Sequence, residues 1–598
     1  MTSGTVRISS TGNRSLPLQG MRLRTAGPPG PVATAVEHVR LLGADLVPGD
    51  SNGLALTGAD GMSVEAGVSW AAPGSEVVDE ATAQAAAGLM LVHGRRDGAP
   101  RGLAVDYTAT ATGILTVHGL LATLIARTRG STATVADVAV DRVALLTVSQ
   151  YLAAACADDE EAAPLGQGGP PFTTADGVLF EVEALDVGVW ADFWRELDAP
   201  AQALRKGWRP FQFRYATACA PIPTELHATT ARRTWGQIRV AAAAAGADVC
   251  RLHTLGERAE EIRAGREDSV PWELTLGVEN RSAGGSSMSS VDKPLAGMTV
   301  LEAGRRVQAP LAAHLLGLLG AEVVRIEPPG GDPLRGMPPT CSGISARWLA
   351  LNRGKGAVEI DIKSADDRHR LCALAAEADV FLHNWAPGKA EQFGLGADDL
   401  WAANPGLVYA YTSGWAGRLD DAPMGTDFMV QARTGVGAAA RPADEAPVPS
   451  LMTLLDVLGG MLGTEAILAG LLTREQTGRG VRVESALLGA ANLLTAPALD
   501  RLRAGVEPRR PAGFRRPLPT ADGLLAPADN DAAAATAHLD RIQQLPTGDA
   551  LAMLRDNGIR ATAVTTDLAA LPTDPRFAGS MHTDAHGALA ISSPWSLR

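Results

Sequence analysis

The stretch LEAGRRVQAPLAAHLLGLLGAEVV, residues 301–324, decides the fold of this chain. A short apolar strand is followed by an apolar helix pattern and then by a second strand, which is how a parallel α/β sheet begins. Residues 24–47, RTAGPPGPVATAVEHVRLLGADLV, carry the same pattern, and Gly43 and Gly320 align at a spacing of 277 residues. A repeat this long is too widely spaced for a solenoid. The sequence therefore predicts two fused copies of one globular unit.

Three further repeats occur in the same order along the chain. They pair GLLATLIARTRG (119–130) with AILAGLLTREQTGRG (466–480) at a spacing of 347 residues, TADG (174–177) with TADG (520–523), and SVPWEL (269–274) with SSPWSL (592–597). Because the order is kept while the spacing changes, we expect insertions and deletions between the copies.

The composition excludes several classes of partner. The chain of 598 residues is 46% hydrophobic and has a formal net charge of −13, which argues against nucleic acid or an anionic membrane surface. There is no uninterrupted apolar run of about eighteen residues, and the N-terminus lacks a secretory signal pattern. We therefore expect no membrane span and a cytoplasmic location. The abundance of alanine and arginine is typical of a GC-rich bacterial genome.

Cysteine spacing predicts reduced thiols. The five cysteines are scattered, odd in number and never in a Cys-x-x-Cys pair, and the eleven histidines form no His-Glu-x-x-His pattern. Disulfides and metal ligands are the alternative roles for the cysteines. We expect thiols in a reducing compartment, with no metal or prosthetic group.

A small polar stretch divides the chain. Residues 281–292, RSAGGSSMSSVD, have the composition of a flexible linker. They separate a first half, 1–280, from a second half, 293–598. We predict an α/β fold with a Rossmann-like parallel-sheet large domain in each half. A small α+β domain is predicted at about 170–268 and again at about 512–590.

The second half alternates predicted strands with predicted helices, as expected for a parallel sheet covered on both faces. VLGGMLGTEAILAGLLTRE (457–475) is apolar nearly all round and predicts a buried helix, which Gly478 ends. The expected strands are 297–303, 322–327, 358–362, 379–384, 407–414 and 481–485.

Seven segments of the second half occur together in an order specific to one family. They are PLAGMTVLEAGRRVQAPLAAHLLGLLGAEVVRIEPPGGDPLRG (294–336), LNRGKGAVEIDIKS (351–364), ADVFLHNWAPGKAEQFGLG (378–396), NPGLVYAYTSGWAG (404–417), GTDFMVQARTGV (425–436), LLD (454–456) and LLTREQTGRGVRVESAL (471–487). On these segments, almost all of 294–598 resembles the family III CoA-transferases, the group of formyl-CoA transferase and the carnitine CoA-transferases. The first half resembles the same family more distantly, over 84–150 and 170–275.

The resemblance implies covalent catalysis on Asp456. In the family, the aspartate in this slot attacks an acyl-CoA thioester, the CoA thiolate then forms an aspartyl-CoA thioester, and an acceptor carboxylate collects the CoA. The sequence places Asp456 directly before a long apolar helix, where the helix N-terminus favours an anion. Gly459 and Gly460 are expected to leave room for the thioester. A helix N-cap is the alternative role for Asp456.

The same resemblance assigns five further residues. Gln308 matches a glutamine beside the reacting thioester that can donate to an oxyanion, and Asp427 matches an acidic residue close to the nucleophile. Lys363, Asn384 and Trp385 match residues that hold the nucleotide of CoA. The alternatives are a helix-start side chain for Gln308, a solvated strand end for Lys363 and a core residue for Trp385.

The predicted lid departs from the family pattern. The glycine-rich loop that shields the intermediates is expected near 512–516, where this chain reads AGFRR. A lid built from glycines is not expected there. We predict instead that Arg515 and Arg516 bind a substrate carboxylate or a CoA phosphate.

The first half is predicted to have lost the chemistry. Ala109 occupies the slot of Asp456, Pro31 occupies that of Gln308, and Asp106 is a weaker candidate nucleophile three residues upstream. Family members form interlocked homodimers. The tandem therefore predicts an intramolecular pseudodimer with one active site, as a monomer or a homodimer in solution.

The leading functional hypothesis is an acyl-CoA:carboxylate CoA-transferase. A 2-acyl-CoA racemase or isomerase, or a CoA-dependent lyase, is the alternative, although Thr426 stands where racemases carry a histidine. A non-catalytic CoA-binding protein is the further alternative. The acyl group and the acceptor leave no signature in the sequence.

Overall fold

The computed structural model describes residues 6–8, 16–49, 51, 53–264, 270–279 and 290–598. Most of the predicted linker, residues 281–289, lies outside these described residues.

A sheet of eight strands forms the centre of the second half. Six strands are mutually parallel, which confirms the predicted large parallel sheet. In spatial order they are Gly356–Glu359, Glu322–Glu327, Thr299–Ala303, Val380–His383, Val408–Ser413 and Arg479–Ala486. The strand order reverses between the third and fourth of these, so this switch point is where an open α/β sheet binds ligands at the carboxyl ends of its strands.

Two strands from the first half extend this sheet. Trp272–Glu279 pairs antiparallel with Arg479–Ala486, and Val6–Ile8 pairs antiparallel with Trp272–Glu279. In return, the C-terminal strand Trp595–Leu597 pairs with Ala136–Ala139 of the first half. Each half therefore completes a sheet of the other.

Three helices of the second half, Gln308–Leu318, Leu454–Thr477 and Leu487–Arg503, pack against strands of the large sheet. The other helices of this region are Ala346–Asn352, Ala365–Ala376, Lys389–Gln392, Ala397–Ala403, Asp427–Thr434 and Val436–Ala439. A 3₁₀ turn spans Pro333–Gly336, and a hairpin is formed by Thr340–Cys341 and Ile344–Ser345.

The first half does not repeat this sheet, so the prediction of a second Rossmann-like domain is wrong. Its four-stranded sheet, in the order Asp45–Leu46, Arg22–Thr25, Leu54–Thr57 and Ser63–Ala66, contains one parallel pair. The reason is length. Residues 42–106 separate the first βα unit from the next long helix, whereas the second half uses residues 319–453. The shorter segment cannot supply the missing βα units.

The remaining elements of the first half are mostly helices. They are Pro29–Leu41, Glu80–Ala86, Leu89–Gly94, Tyr107–Thr128, Val140–Thr147 and Ser149–Ala155, with the short strand Val68–Ser69 beside Ala136–Ala139.

A small α+β unit occurs twice. The first combines the strands Phe172–Thr173, Leu179–Glu183 and Asp248–Arg251 with the helices Val187–Glu196, Ala201–Gln212, Arg214–Thr217, Thr224–Thr230, Trp235–Ala245 and Leu255–Arg263. The second combines Leu518–Pro519, Leu524–Pro527 and Ala561–Ala563 with Ala532–Thr536, Leu539–Ile542 and Thr547–Asp556, and a hairpin of Met581–Thr583 and Leu589–Ile591 follows it.

Two long helices pack against each other at the centre of the molecule. We call them the first core helix (Tyr107–Thr128) and the second core helix (Leu454–Thr477). By length and composition both could cross a membrane, but 100% and 94% of their most apolar windows are buried inside the protein. Their hydrophobicity is therefore accounted for by the core.

Each core helix is approached closely by a shorter helix. A Cβ on Gly113 would lie 2.6 Å from the carbonyl oxygen of Pro31, and one on Gly460 would lie 2.7 Å from that of Gln308. Glycine is therefore required at both crossings. The predicted role of Gly460, making room for a thioester, is replaced by a helix crossing.

Candidate active site

Asp456 lies in the first turn of the second core helix, whose first residue is Leu454. The N-cap residue, Thr453, makes no side-chain capping bond. The backbone N–H groups of Leu455 and Asp456 donate instead to Oδ2 of Asp427, at 2.7 and 2.8 Å. Because another carboxylate satisfies these donors, the Asp456 side chain is not needed as a helix cap.

The two carboxyl groups have unusual proton affinities. Burial raises the pKa of Asp456 to about 7; the positive charge of Arg306 opposes this rise and the negative charge of Glu183 adds to it. Burial and the charge of Asp456 also raise the pKa of Asp427 well above its usual range, against a 2.5 Å hydrogen bond from Gln431. Asp456 therefore changes its charge close to neutral pH.

A cavity of about 430 Å³ opens at Asp456, and we call it the Asp456 cavity. Both halves supply its walls. The first half contributes Glu183, Leu185, Trp208, Phe213, Arg214 and Tyr215, and the second half contributes Arg306, Pro333, Leu334, Met337, Thr426 and Phe428. A substrate in this cavity would therefore contact residues of both halves.

Glu183 joins the two halves at the cavity wall. Its Oε1 accepts a bond from Arg214 at 3.0 Å, and its Oε2 accepts one from the Thr426 hydroxyl at 2.8 Å. The Arg214 guanidinium lies 3.7 Å from the ring centre of Phe211 and 4.8 Å from that of Phe428. The charges of Glu183 and Arg214 therefore neutralise each other inside the wall.

Arg306 stands at the mouth of the cavity, at the switch point of the sheet. Its φ of 64° lies in the left-handed region, which an arginine rarely adopts. The Asn384 side chain holds the preceding peptide by accepting a bond from the Arg305 N–H and donating to the Arg305 carbonyl, both at 3.0 Å. The Arg306 guanidinium lies 5.7 Å from the ring centre of Tyr215. Asn384, predicted to contact adenine, therefore fixes the backbone that presents Arg306.

Gln308 is buried one turn away from Asp456. Its Nε2 donates to the Ser413 carbonyl at 3.3 Å, and a Cβ on Gly459 would lie 3.0 Å from the same nitrogen. Gln308 does not line the Asp456 cavity. Gly459 accordingly makes room for this side chain rather than for a thioester.

A separate recess lies at the switch point, and Pro333 lines both this recess and the Asp456 cavity. Trp385 forms part of the recess together with Arg305, Pro328 and Ile362. Trp385 is half-buried and packs edge-on against Phe381, so it serves the core and the recess at once. An aromatic wall beside a strand end can stack a nucleotide base.

Lys363 lies beyond this recess, in the turn that follows Ile362. Its side chain is exposed, while its backbone N–H donates to Asp361. Lys363 is therefore solvated, and its contact with a phosphate stays a prediction.

The structure places Arg515 and Arg516 away from the Asp456 cavity. Arg515 has only 1% of its side chain exposed and is paired with Asp106 and Asp529, both at 2.6 Å. Arg516 is exposed and pairs with Asp444. The predicted binding of a substrate carboxylate or CoA phosphate by Arg515 is not supported, because its donors are already used within the protein.

The loop beside the Asp456 helix comes from the first half. Gly169 approaches the segment that leads into this helix so closely that a Cβ there would lie 2.9 Å from the Leu451 side chain. The AGFRR loop lies instead at the first core helix, where a Cβ on Gly102 would lie 2.6 Å from Cβ of Arg515. The expectation that residues 512–516 cover the reactive aspartate is therefore wrong.

The described residues contain no group of three or more His, Cys, Asp or Glu side chains that could hold a metal. His582 and His586 have the four-residue spacing of some metal sites, but they lie in a hairpin rather than on a helix. All five cysteines are unpaired, and Cys219, Cys250 and Cys341 are buried.

Sequence reasoning missed Glu183, Arg214, Tyr215 and Arg306. The first three belong to the first half, which was treated as a degenerate partner. The repeat itself could have indicated these three residues, because in an interlocked pair the small α+β unit of one half lies beside the nucleophile of the other half. For Arg306 the signal was its position two residues before Gln308.

The family is established by comparison with known proteins. CoA-transferase family III matches this chain over residues 74–269 and 295–578. The protein therefore belongs to CoA-transferase family III.

Three curated relatives illustrate the similarity. Succinyl-CoA:glutarate CoA-transferase of Mus musculus is 35% identical over 204 residues, which cover 33% of this chain and 46% of the relative. The beta subunit of succinyl-CoA–L-malate CoA-transferase of Chloroflexus aurantiacus is 37% identical over 199 residues, covering 32% and 49%. An acyl-CoA transferase of Fusarium pseudograminearum is 30% identical over 306 residues, covering 49% and 62%. The chain spans about half the length of the curated relatives it matches.

Among solved structures, a CAIB/BAIF family protein from Brucella suis aligns with 51% of this chain and 92% of its own, at 26% identity and a TM-score of 0.46.

Proposed function

We propose that this protein transfers CoA from an acyl-CoA to a carboxylic acid, with Asp456 as the covalent nucleophile. The observation that carries the proposal is that two neighbouring carboxylates have different roles. Asp427 accepts the N–H groups of the second core helix, and Asp456 lines the cavity. A carboxylate without a capping role, in a cavity that can hold an acyl group, is what nucleophilic acyl transfer requires.

The proposed chemistry follows the resemblance and balances at each step. The Asp456 carboxylate attacks the thioester carbonyl, the C–S bond breaks, and CoA thiolate leaves an acyl-aspartyl anhydride. The thiolate then attacks the aspartyl carbonyl, which forms an aspartyl-CoA thioester and releases the donor acid. An acceptor carboxylate then attacks the aspartyl-CoA carbonyl and releases CoA thiolate, which leaves an anhydride between the acceptor and Asp456. The thiolate attacks the acceptor's carbonyl in this anhydride, which forms the new acyl-CoA and regenerates Asp456.

The nucleotide of CoA is assigned to the switch-point recess, with Trp385 against the base and Lys363 at a phosphate. Pro333 lines both this recess and the Asp456 cavity, so the two are adjacent, and the pantetheine arm is assigned to the space between them. Gln308 lies beside Gly459 rather than in the cavity and donates to the Ser413 carbonyl. Its proposed contribution is therefore to pack against the second core helix and not to donate to an oxyanion.

We also propose that the chain is an intramolecular pseudodimer located in the cytoplasm. Its support is the exchange of strands between the halves and the contact of the two core helices. A cross-half bond accompanies that contact, because His118 Nε2 lies 2.9 Å from the Met461 carbonyl. The unpaired thiols fit a reducing compartment.

A racemase or isomerase is the second candidate, because Glu183 supplies a further carboxylate in the cavity. Racemisation next to a thioester needs groups that can take a proton from one face and return one to the other. Thr426 cannot do this, but it donates to Glu183 at 2.8 Å. Both carboxylate oxygens of Glu183 already accept hydrogen bonds, one from Arg214 and one from Thr426, which favours the transferase.

The proposal is tested by a half-reaction without acceptor. Incubation with an acyl-CoA should release one CoA thiol or leave a mass adduct on the peptide that contains Asp456, and hydroxylamine should convert that side chain to a hydroxamate. Proton NMR of a 2-methylacyl-CoA in D2O with enzyme distinguishes the alternative. Rapid exchange at the position next to the carbonyl would favour the isomerase. Absence of both reactions over a wide panel of thioesters would favour a lyase or a non-catalytic CoA-binding protein.

A further inference from the structure

Five acidic or basic side chains line the Asp456 cavity, and only two of them are not paired or bonded within the protein. Glu183 and Arg214 neutralise each other, and Asp427 is occupied by the helix N–H groups. Within the described residues, the Arg306 side chain forms no hydrogen bond and no ion pair; its guanidinium lies 5.7 Å from the ring centre of Tyr215 and acts on Asp456 through its charge alone. Asp456 and Arg306 therefore remain as one anion and one free cation in the same cavity.

Apolar side chains form most of the remaining cavity wall, and the polar residues among them, Gln212, Tyr215, Thr426 and Thr453, are neutral. Trp208, Phe213, Leu334, Met337 and Phe428 contribute to it, and Leu185 lies at the cavity with 52% of its surface exposed. An exposed leucine beside aromatic rings is surface that a ligand can cover favourably. Apart from Arg306, the described wall offers a second carboxylate no available cation, because Arg214 has only 4% of its side chain exposed and is already paired with Glu183.

We infer that the Asp456 cavity accepts monocarboxylic acids with an apolar body, and that Arg306 binds their carboxylate. This inference rests on the proposed CoA transfer and names its substrate class. The same cavity must hold the donor acid before it leaves and the acceptor acid before it reacts, so both acids share this chemistry. Dicarboxylic acids are disfavoured because their second carboxylate would lose water without gaining a cation.

Arg306 is suited to this role because of where it lies relative to the reacting carbon. In the second half-reaction the acceptor carboxylate attacks the aspartyl-CoA carbonyl, the C–S bond breaks, and CoA thiolate leaves. An arginine at that point can hold one oxygen of the acceptor while the other attacks. Its unusual backbone, fixed through Asn384, sets the direction from which the acid enters.

The first experiment measures acceptor preference. Hexanoyl-CoA is the donor, and 3-phenylpropanoate, acetate, succinate and glutarate are compared as acceptors by kcat/KM. We expect 3-phenylpropanoate to exceed glutarate by about 100-fold, the size expected when a charged group is buried without a partner. Trp208→Ala should lower kcat/KM for 3-phenylpropanoate and leave acetate nearly unchanged, because acetate is too small to reach the wall.

The second experiment removes the guanidinium. Arg306→Gln should raise the KM of every acceptor by about 100-fold, Arg306→Lys should recover part of this loss, and added guanidinium salt should restore Arg306→Gly. Gly relieves the left-handed backbone, so a rescue of Arg306→Gly by guanidinium separates loss of the charge from a change of backbone.

The half-reaction keeps the inference separate from the proposed function. Thiol release or an adduct on Asp456 together with a preference for succinate or glutarate would overturn the inference and leave CoA transfer standing. An unchanged acceptor KM in Arg306→Gln would overturn it as well. If no thioester yields thiol or adduct, CoA transfer itself fails and the inference falls with it.

Discussion

At the N-terminus of the second core helix, Asp427 accepts hydrogen bonds from the N–H groups of Leu455 and Asp456. At the N-terminus of the first core helix, Glu80 does the same for Thr108 and Ala109, at 2.9 and 2.8 Å. A glutamine one turn later supports each carboxylate. Gln431 bonds Asp427 and both backbone groups of Ser450, and Gln84 bonds Glu80 and both backbone groups of Leu103. Every pair in this comparison is 347 residues apart.

The first difference between these two helix ends is the side chain in the reactive slot. We call each pair of carboxylate and glutamine, Asp427 with Gln431 and Glu80 with Gln84, a clamp. Because a clamp is also present where the reactive slot holds an alanine, its general role is to hold a helix N-terminus. The residue that the clamp leaves free then decides whether the helix end can react. This residue is Asp456 at the second core helix and Ala109 at the first. This also explains why Asp427 is buried and bonded rather than open to a substrate.

The space in front of the two helix ends differs as well. The repeated TADG segments align Arg515 with Gly169. At the first core helix, Arg515 donates to the carbonyl of Val105 at 2.9 Å and to Asp106. At the second, Gly169 brings no side chain to Leu451. The N-terminus of the first core helix is therefore covered by the buried Arg515, whereas the N-terminus of the second core helix opens into the Asp456 cavity.

Separating the two halves should have the largest effect on this arrangement. Residues 294–598 expressed alone should be aggregated or inactive, because they lack the strand Trp272–Glu279, the partner of Trp595–Leu597 and one wall of the Asp456 cavity. Co-expression with residues 1–280 is the control and should restore folded, active protein. Gel filtration, circular dichroism and turnover report the outcome. A soluble, active monomer of 294–598 would contradict the interdependence of the halves.

Asp456→Asn should lower turnover by about four orders of magnitude, since it removes the nucleophile while keeping the size of the side chain. Asp106→Asn is the matched control at the first core helix and should stay within a few-fold of wild type. Steady-state CoA transfer measures both variants. Equal losses in the two variants would mean that the helix ends are not functionally different.

Arg515→Met should destabilise the protein by about 1–3 kcal/mol, because the buried carbonyls of Leu103 and Val105 would lose their donor and the partly exposed Asp106 and Asp529 would lose their cation. Arg516→Met, at an exposed neighbour, should change stability by no more than about 0.5 kcal/mol. Denaturant unfolding compares the two. A raised KM for acyl-CoA in Arg515→Met, with unchanged stability, would return Arg515 to the ligand-binding role that the sequence predicted.

The fold of the second half could be predicted from its sequence because the signals are local. The strand of 299–303, the helix from Gln308 and the strand of 322–327 each carry their own periodicity, and a buried helix such as 454–477 is visible as an apolar stretch. The same reasoning gave a wrong prediction for the large domain of the first half. Its βα unit repeats the pattern of the second half, but the residues that would form the other parallel strands are missing, and pattern similarity at one end does not reveal this.

The site was predictable where it depends on one position and unpredictable where it depends on contact between distant segments. Asp456 and Asp427 belong to recognisable motifs. Glu183 and Arg515 acquire their roles from partners more than 200 residues away in the chain, Thr426 and Asp106. Gln308 shows a third case, in which the motif gives the right neighbourhood but the side chain turns toward Gly459 and away from the cavity.

The smallest expected effect concerns stability, and its sign follows from the pKa of Asp456. In the folded protein this pKa is raised to about 7, whereas in the unfolded chain it is about 4. The folded state therefore holds its proton more tightly, and ionisation of Asp456 costs stability progressively as the pH rises from about 4 to about 7. Asn cannot ionise, so Asp456→Asn should be more stable than wild type at pH 8, by about 2 kcal/mol after allowance for partial exposure of the group. The difference should shrink on going to pH 5, and denaturant unfolding of both proteins at the two pH values measures it. A variant less stable than wild type at pH 8 would mean that the Asp456 carboxylate supports the fold, as a helix cap would, and would return the two helix ends to equivalent roles.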